Sequence, residues 1–251
     1  MTVKDVYNFI DTVAPFGTKA EWDNPGILVG DENAVVTKAV VSLDITAEEI
    51  AQAEKAGAQL IISHHPVIFR AQKSFLAGNV CYEAARKGIA AVCAHTNLDK
   101  AAGGVNDALC DALGMKYEKL PECCAEGFLN VGTIDGVTKA AELAAYISEK
   151  LGASVRYADA GIPVGKIGVC SGAGADEAVT AASCGCTAFI TGDASYHDFL
   201  DAVQAGISLF AAGHYETEII IVKRLVEKLS AEFPDVEFIP SERRSPVITV
   251  N

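Results

Sequence analysis

Short apolar runs alternate with stretches of helical periodicity along most of this chain. Val6, Phe9, Ile10 and Val13 recur at helical spacing and predict an opening helix over residues 3 to 13. KAVVSLD reads as a buried strand. A helix follows from Thr46 to about Ala56, closed by Gly57, and AQLIISHH is then the second strand of a βαβ unit. After Pro66 the helix CYEAARKG leads to a third strand, IAAVCAH. KAAGGVNDALCDALG reads as a loop and then a helix starting near Val105. MKYEKLPECCAEG reads as a connector, with Pro121 and Gly127 as breakers. From Phe128 the rhythm restarts with FLNVGTI, SVRYAD, KIGVCSG, TAFITG and SLFAAG as strands. TKAAELAAYISEKLG, DEAVTAASCG, SYHDFLDAVQAG and ETEIIIVKRLVEKLSAEF are its helices, the last of them the longest, and VEFIPS and PVITV close the chain. This alternation predicts an α/β fold of three-layer architecture, with mostly parallel or mixed sheets covered on both faces.

Three of the apolar runs end in histidine. His64 and His65 stand at the end of LIIS, His95 follows IAAVCA, and His214 follows SLFAAG. The strand ends of an open α/β sheet are where such folds place their sites, and imidazole with carboxylate suits zinc, iron and manganese. Adjacent histidines in an extended strand would face opposite ways, but Pro66 directly after the pair favours a departure from the strand there. Two surface histidines at a strand end are the plainer alternative, less common for a pair than for one. Asp99, four residues after His95, is balanced between a turn cap and a metal ligand. His95 is a candidate either as a ligand or as an acid/base beside the metals. His214 and Glu218 lie one helical turn apart on one face, whereas Glu216 would point away as a solvated first-turn acid.

The third of these strand ends is distant in sequence from the first two, so the chain must return to them. The expected organisation is a metal-binding α/β domain from residues 1–125 plus 212–251, with a second α/β domain, 126–211, inserted in it. Other residues carry weaker signals. His197 and Asp193 are undecided between the cleft and the surface, and Asp44 and Thr46 are expected to cap a helix. SGAGADE is Gly-rich before a helix but lacks GxGxxG and the P-loop Lys-Ser/Thr. A plain strand-to-helix turn is therefore its expected role.

Composition narrows the partners. Half of the 251 residues are hydrophobic and the net charge is −13, with Lys and Arg scattered and no basic run longer than a pair such as Arg243-Arg244, which disfavours nucleic acid. The eight cysteines include no Cys-x-x-Cys; Cys123-Cys124 and Cys184-Gly185-Cys186 are the close groupings. No window reads as a secretory signal or a membrane span, so a cytoplasmic protein with reduced, mostly core thiols is expected, with no membrane partner.

WDNPGILVGD, VVSLDIT, LIISHHPVIF, CAHTNLDKAAGGVND, TGDASYHD and GHYETE resemble, in that order, the signatures of the Nif-three-like proteins, also called GTP cyclohydrolase 1 type 2 homologs. The resemblance covers nearly the whole chain, in the family's short form, with Pro25 where relatives often have valine. It implies a dinuclear metal centre in a toroidal homohexamer of two-domain α/β subunits. It also implies metal ligands at His64, His65, Asp99, His214 and Glu218, all of which match in residue type.

The expected function is therefore a metal-dependent hydrolase acting on a small nucleotide or other phosphorylated metabolite, with two divalent ions per chain (zinc, iron or manganese). Two ions roughly 3.5–4 Å apart lower the pKa of a bridging water enough to give a nucleophile near neutral pH. Glu218 or Asp99 is a candidate bridge and His95 a candidate proton shuttle. The family name implies attack at the purine C8 of GTP. The alternative is a non-catalytic metal-binding hexamer serving as a metal store, chaperone or regulatory partner.

Overall fold

Thr2 starts the first helix. Its hydroxyl accepts from the Asp5 N–H and the Asp5 carboxylate accepts from the Thr2 N–H, a capping box that sets the start of α1 (Val3–Val13). The computed structural model describes residues 1–119 and 127–248. After α1 the chain runs through β1 (Gly26–Val29), β2 (Lys38–Ser42), α2 (Ala47–Ala56), β3 (Leu60–Ser63), α3 (Val80–Arg86), β4 (Ala90–Cys93) and α4 (Thr96–Lys100). There follow α5 (Val105–Ala112), β5 (Lys116–Lys119), β6 (Asn130–Thr133), α6 (Ala140–Leu151), β7 (Arg156–Ala158), β8 (Ile167–Val169) and α7 (Glu177–Ser183). Then come β9 (Ala188–Thr191), α8 (Tyr196–Gln204), β10 (Ser208–Ala211), α9 (His214–Glu218), α10 (Ile220–Glu232) and β11 (Glu237–Pro240). Two compact units result among the described residues: Met1–Ala102 with Ile221–Pro246, and Gly103–Ile220 with Val247 and Ile248.

The first unit is built on a five-stranded sheet in the order β1-β4-β3-β2-β11. β11, β2, β3 and β4 are parallel and β1 closes the edge antiparallel to β4. The continuous apolar sequences of β3 and β4, every residue of which is buried, are those of strands covered on both faces. Val40 and Ile61 turn to one face, where Ile50 and Ala53 of α2 and Ala84 of α3 pack on them. Thr46 caps α2 with a capping box to Glu49, and Gly57 ends the helix in the left-handed conformation that lets Ala58 turn into β3.

The second unit holds a six-stranded mixed sheet, β5-β6-β8-β9-β10-β7, whose centre β8, β9 and β10 is parallel. Side-chain alternation divides its core in two. Ile190 and Phe210 face Leu143 and Ile147 of α6, while Phe189 and Leu209 face Ala181 of α7 and Ala202 of α8. Helices thus cover both faces of this sheet. Phe189 is wholly buried in the second of these cores. Phe189→Ala is expected to lower the unfolding free energy by about 3–5 kcal/mol, read by denaturant titration. A loss below about 1 kcal/mol would mean that the site collapses around the smaller side chain.

The structure departs from the sequence reading at several elements. Lys116–Lys119, within what reads as a connector, forms edge strand β5, with Tyr117 packed against the core between outward charges; residues 120–126 of that connector, including Cys123-Cys124, lie outside the described residues. His95–Asp99 belongs to a short helix, α4, because the His95 carbonyl accepts from the Leu98 and Asp99 N–H groups. The longest helix is divided at Ile219 into α9 and α10. Among the described residues no helix is long and apolar enough to cross a membrane.

Candidate metal centre

In the first unit the parallel register pairs Ser42 with Ser63 and Ser63 with Cys93, so the carboxyl ends of β2, β3 and β4 lie level. Asp44, His64 with His65, and His95 follow those three ends, the position where open α/β sheets carry their chemistry. The strand ends at Ser63, whose hydroxyl donates to the His65 carbonyl (2.8 Å), and this turn lets two adjacent histidines share one side. The ring centroids of His64 and His65 are 4.9 Å apart, those of His64 and His95 5.1 Å, and those of His65 and His95 5.6 Å. One nitrogen from each of the three lies within 4.8 Å of the others, a group able to hold a metal ion.

Each ring is held by its Nδ1. His64, wholly buried, donates Nδ1–H to the Ala94 carbonyl (2.9 Å), and the Cys93 thiol donates to the His64 carbonyl (2.9 Å). His65 Nδ1 meets Asp44 Oδ1 at 2.9 Å, and His95 Nδ1 meets Asp23 Oδ1 at 2.8 Å. A carbonyl or carboxylate can only accept, so Nδ1 carries the proton and Nε2 carries the lone pair of the neutral ring. This is the arrangement by which outer carboxylates fix metal-binding imidazoles.

The supporting acids are themselves anchored. Burial works against the charged form of Asp23, but bonds from the His95 ring and from the Thr96 hydroxyl and N–H outweigh it and hold the carboxyl down at about 2. The bond from His65 lowers the Asp44 carboxyl against the opposing effect of burial, and Arg243 Nη1, 3.0 Å from Asp44 Oδ2, adds to it. Both stay ionised at neutral pH. Asp99, buried in α4, places Oδ1 3.4 Å from His64 Nε2. A lone pair facing a carboxylate at that distance is repulsive unless a proton or a cation lies between them.

The second unit repeats the arrangement at the carboxyl ends of its parallel strands. Cys170–Gly172 follows β8, Asp193 follows β9 and His214 follows β10. His214 Nδ1 meets Asp193 Oδ2 at 2.9 Å, and its Nε2 lies 3.1 Å from Glu218 Oε2, one helical turn on and buried. Gly172, at φ +59°, belongs to the Gly-rich turn, and a Cβ built on it would come within 2.2 Å of Glu218 Oε1 and 3.2 Å of His214 Nε2. Glycine therefore lets the turn approach both donors without a side chain clashing with them. Gly172→Ala is expected to displace Glu218 and lower bound metal per chain at least about tenfold, since outer perturbations of metal sites cost that much. Elemental analysis checks it, and an unchanged content would separate this turn from metal binding.

The structure thus gathers His64, His65, His95 and Asp99 in the first unit and His214 with Glu218 in the second. Asp23 and Asp44 escaped the sequence reading: one sits in a segment that reads as a turn and the other where a helix cap is expected. Thr46 takes the cap, and Asp44 holds His65 instead. Asp193, undecided from sequence, holds His214. His197 is exposed on α8 beside Tyr196.

The family model for Duf34/NIF3 (NGG1p interacting factor 3) matches residues 1–246. A Clostridium perfringens protein named GTP cyclohydrolase 1 type 2 homolog is 33% identical over 253 residues, covering 96% of this chain and 97% of the relative. One of the same name from Clostridium acetobutylicum is 30% identical over 241 residues, 90% of each. Among solved structures, a Staphylococcus aureus hypothetical protein superposes with a TM-score of 0.90 at 27% identity, covering 100% of this chain and 99% of the other. HcgD from Methanocaldococcus jannaschii superposes with a TM-score of 0.82 at 26% identity, covering 97% and 98%.

Proposed function

This chain belongs to the Duf34/NIF3 family, and from that premise we propose that it is a dinuclear metal-dependent hydrolase acting on a small nucleotide or phosphorylated metabolite. The observation that carries the proposal is common to four histidines. His64, His65, His95 and His214 all have Nδ1 tied to an acceptor, which leaves Nε2 to ligate or to exchange a proton. His64, His65, Asp99, His214 and Glu218 would hold the ions. Imidazole and carboxylate are the donor set of zinc, iron and manganese, and Gly172 places no side chain against the Glu218 and His214 donor atoms. When bound, two such ions supply Lewis-acid activation of a water and of a phosphoryl or ring atom.

The remaining chemistry falls to this chain's own side chains. His95, backed by the ionised Asp23, is the proton carrier: Nε2 takes a proton from the attacking water and returns it to the leaving atom, while Nδ1–H stays on the carboxylate. Buried Thr96 fixes Asp23 through two hydrogen bonds, so the ring keeps one tautomer and orientation through the cycle. Arg243 does the same for His65 by way of Asp44.

GTP and other nucleoside triphosphates incubated with the metal-replete protein test this, with products followed by mass spectrometry. Turnover that disappears on chelation and returns with the metal is expected. Full metal content without turnover across nucleotides and phosphorylated metabolites would overturn the hydrolase reading. It would favour a non-catalytic metal-binding hexamer.

A further inference from the structure

β3 delivers His64 and His65 and then gives way to residues 66–79, which form no helix or strand before α3. Irregular segments of about this length within a compact domain are uncommon and are usually functional. The composition of this one, PVIFRAQKSFLAGN, runs against that of the chain. It has two cations and no acid in a protein of net charge −13. It also exposes Phe69 (47%), Phe75 (46%) and Leu76 (72%), and Trp22, the only tryptophan, is 59% exposed. Apolar side chains scattered singly over a surface need no explanation, but Trp22 and Phe69 form a pair.

Trp22 and Phe69 meet edge to face, with centroids 5.8 Å apart at 61°. Both also reach His95, at 6.1 Å and 6.3 Å. Asn24 holds the two segments together by donating Nδ2–H to the Ile68 carbonyl (2.7 Å), and Gln72 Oε1 pins the loop to Asn79 at 2.8 Å. Two large exposed rings therefore stand beside the histidine cluster on segments tied to one another. Arg70 and Lys73 are exposed on the same loop, with no hydrogen bond or ion pair among the described residues.

We propose that Trp22 and the 66–79 loop form the subsite that receives the heteroaromatic ring and phosphates of a mononucleotide-sized substrate, an inference that rests on the hydrolase reading above. At 61° the two rings cannot stack on one plane together, so one takes the face of the base and the other its edge, the geometry aromatic groups prefer. Arg70 and Lys73 take the phosphates, the only part of such a substrate that the acidic surface would otherwise repel. A polynucleotide is disfavoured by the same net charge. The subsite thus selects for planar, anionic small molecules at the edge of His95.

Trp22 is its own reporter, since no other tryptophan contributes to the fluorescence. Metal-replete protein of measured metal content is titrated with GTP, ATP, guanosine, tripolyphosphate and a short oligo-dT. GTP and ATP are expected to quench Trp22, guanosine to quench at higher concentration, and tripolyphosphate to compete without quenching. Phe69→Ala is expected to weaken nucleotide binding about tenfold, as loss of a stacking partner does. Arg70→Ala with Lys73→Ala is expected to cause a comparable loss that shrinks as salt is raised. Metal content and assembled mass should be unchanged in both variants.

No quenching by either nucleotide at full metal content would overturn the subsite and leave the metal centre untouched. Quenching that is equally tight in both variants would overturn it too, as would tighter binding of oligo-dT than of the mononucleotides. A change of assembled mass in Phe69→Ala with unaltered nucleotide affinity would make the loop a subunit contact and reject the proposal. Absence of metal with normal quenching would instead reject the hydrolase reading while the subsite stands.

Discussion

Replacing His64 and Glu218 together by alanine is expected to leave the purified protein with essentially no bound transition metal. His64 is wholly buried and its ring is fixed by the Ala94 carbonyl, so its Nε2 is a pre-set donor that alanine removes outright. Glu218 is buried behind Gly172, where no other carboxylate precedes it on the helix face. In the proposed centre the double variant removes two of the protein donors, His64 and Glu218, at once. The fold should survive, because neither residue belongs to the apolar clusters. Unfolding by circular dichroism separates the two effects: an intact transition with no metal supports the assignment, and retained metal refutes the ligand set.

The second large effect is expected one shell further out. Asp44→Asn and Asp193→Asn should each weaken metal affinity about 10–100-fold, the usual consequence of removing the partner of a metal-binding histidine. Asparagine is nearly the same shape, but its neutral amide polarises the imidazole less. If the amide turns its NH2 toward Nδ1, the proton moves to Nε2 and the donor is lost. Arg243 and the His65 ring hold Asp44 ionised, so at neutral pH the wild-type acid is always an acceptor. Competition against a chelator of known affinity reads the change. Unaltered affinity in Asp44→Asn would mean that His65 does not bind through Nε2.

What the sequence reveals about this fold follows from the kind of strand it uses. Buried parallel strands such as LIIS and AAVC are continuous apolar runs, and their abrupt change to polar residues marks the carboxyl ends at which His64, His65 and His95 stand. Capping residues make the helices equally legible, as Thr46 and Gly57 do for α2. Elements of four or five residues are a different matter. α4 is scarcely longer than one helical turn, so its sequence cannot show a periodicity. β5, Lys-Tyr-Glu-Lys, has a single apolar side chain and otherwise looks like a charged linker.

The supporting acids were hidden for another reason. His95 and Asp23 are separated by 72 positions and His65 and Asp44 by 21, so the pairing exists only once the strands are aligned. Asp44 follows β2 as the histidines follow β3 and β4, and that shared register is the signal that could have exposed it. From sequence alone Asp99 stays balanced between cap and ligand, because α4 is too short to show a periodicity. In that helix its carboxylate faces the His64 ring instead of a helix terminus.

The most direct test of the account is elemental analysis of the wild-type protein purified without added metal. The proposed centre predicts about two ions of zinc, iron or manganese per chain, the complement of a two-metal site. Protein that is folded and carries no transition metal, and takes none up on incubation with these ions, would contradict it.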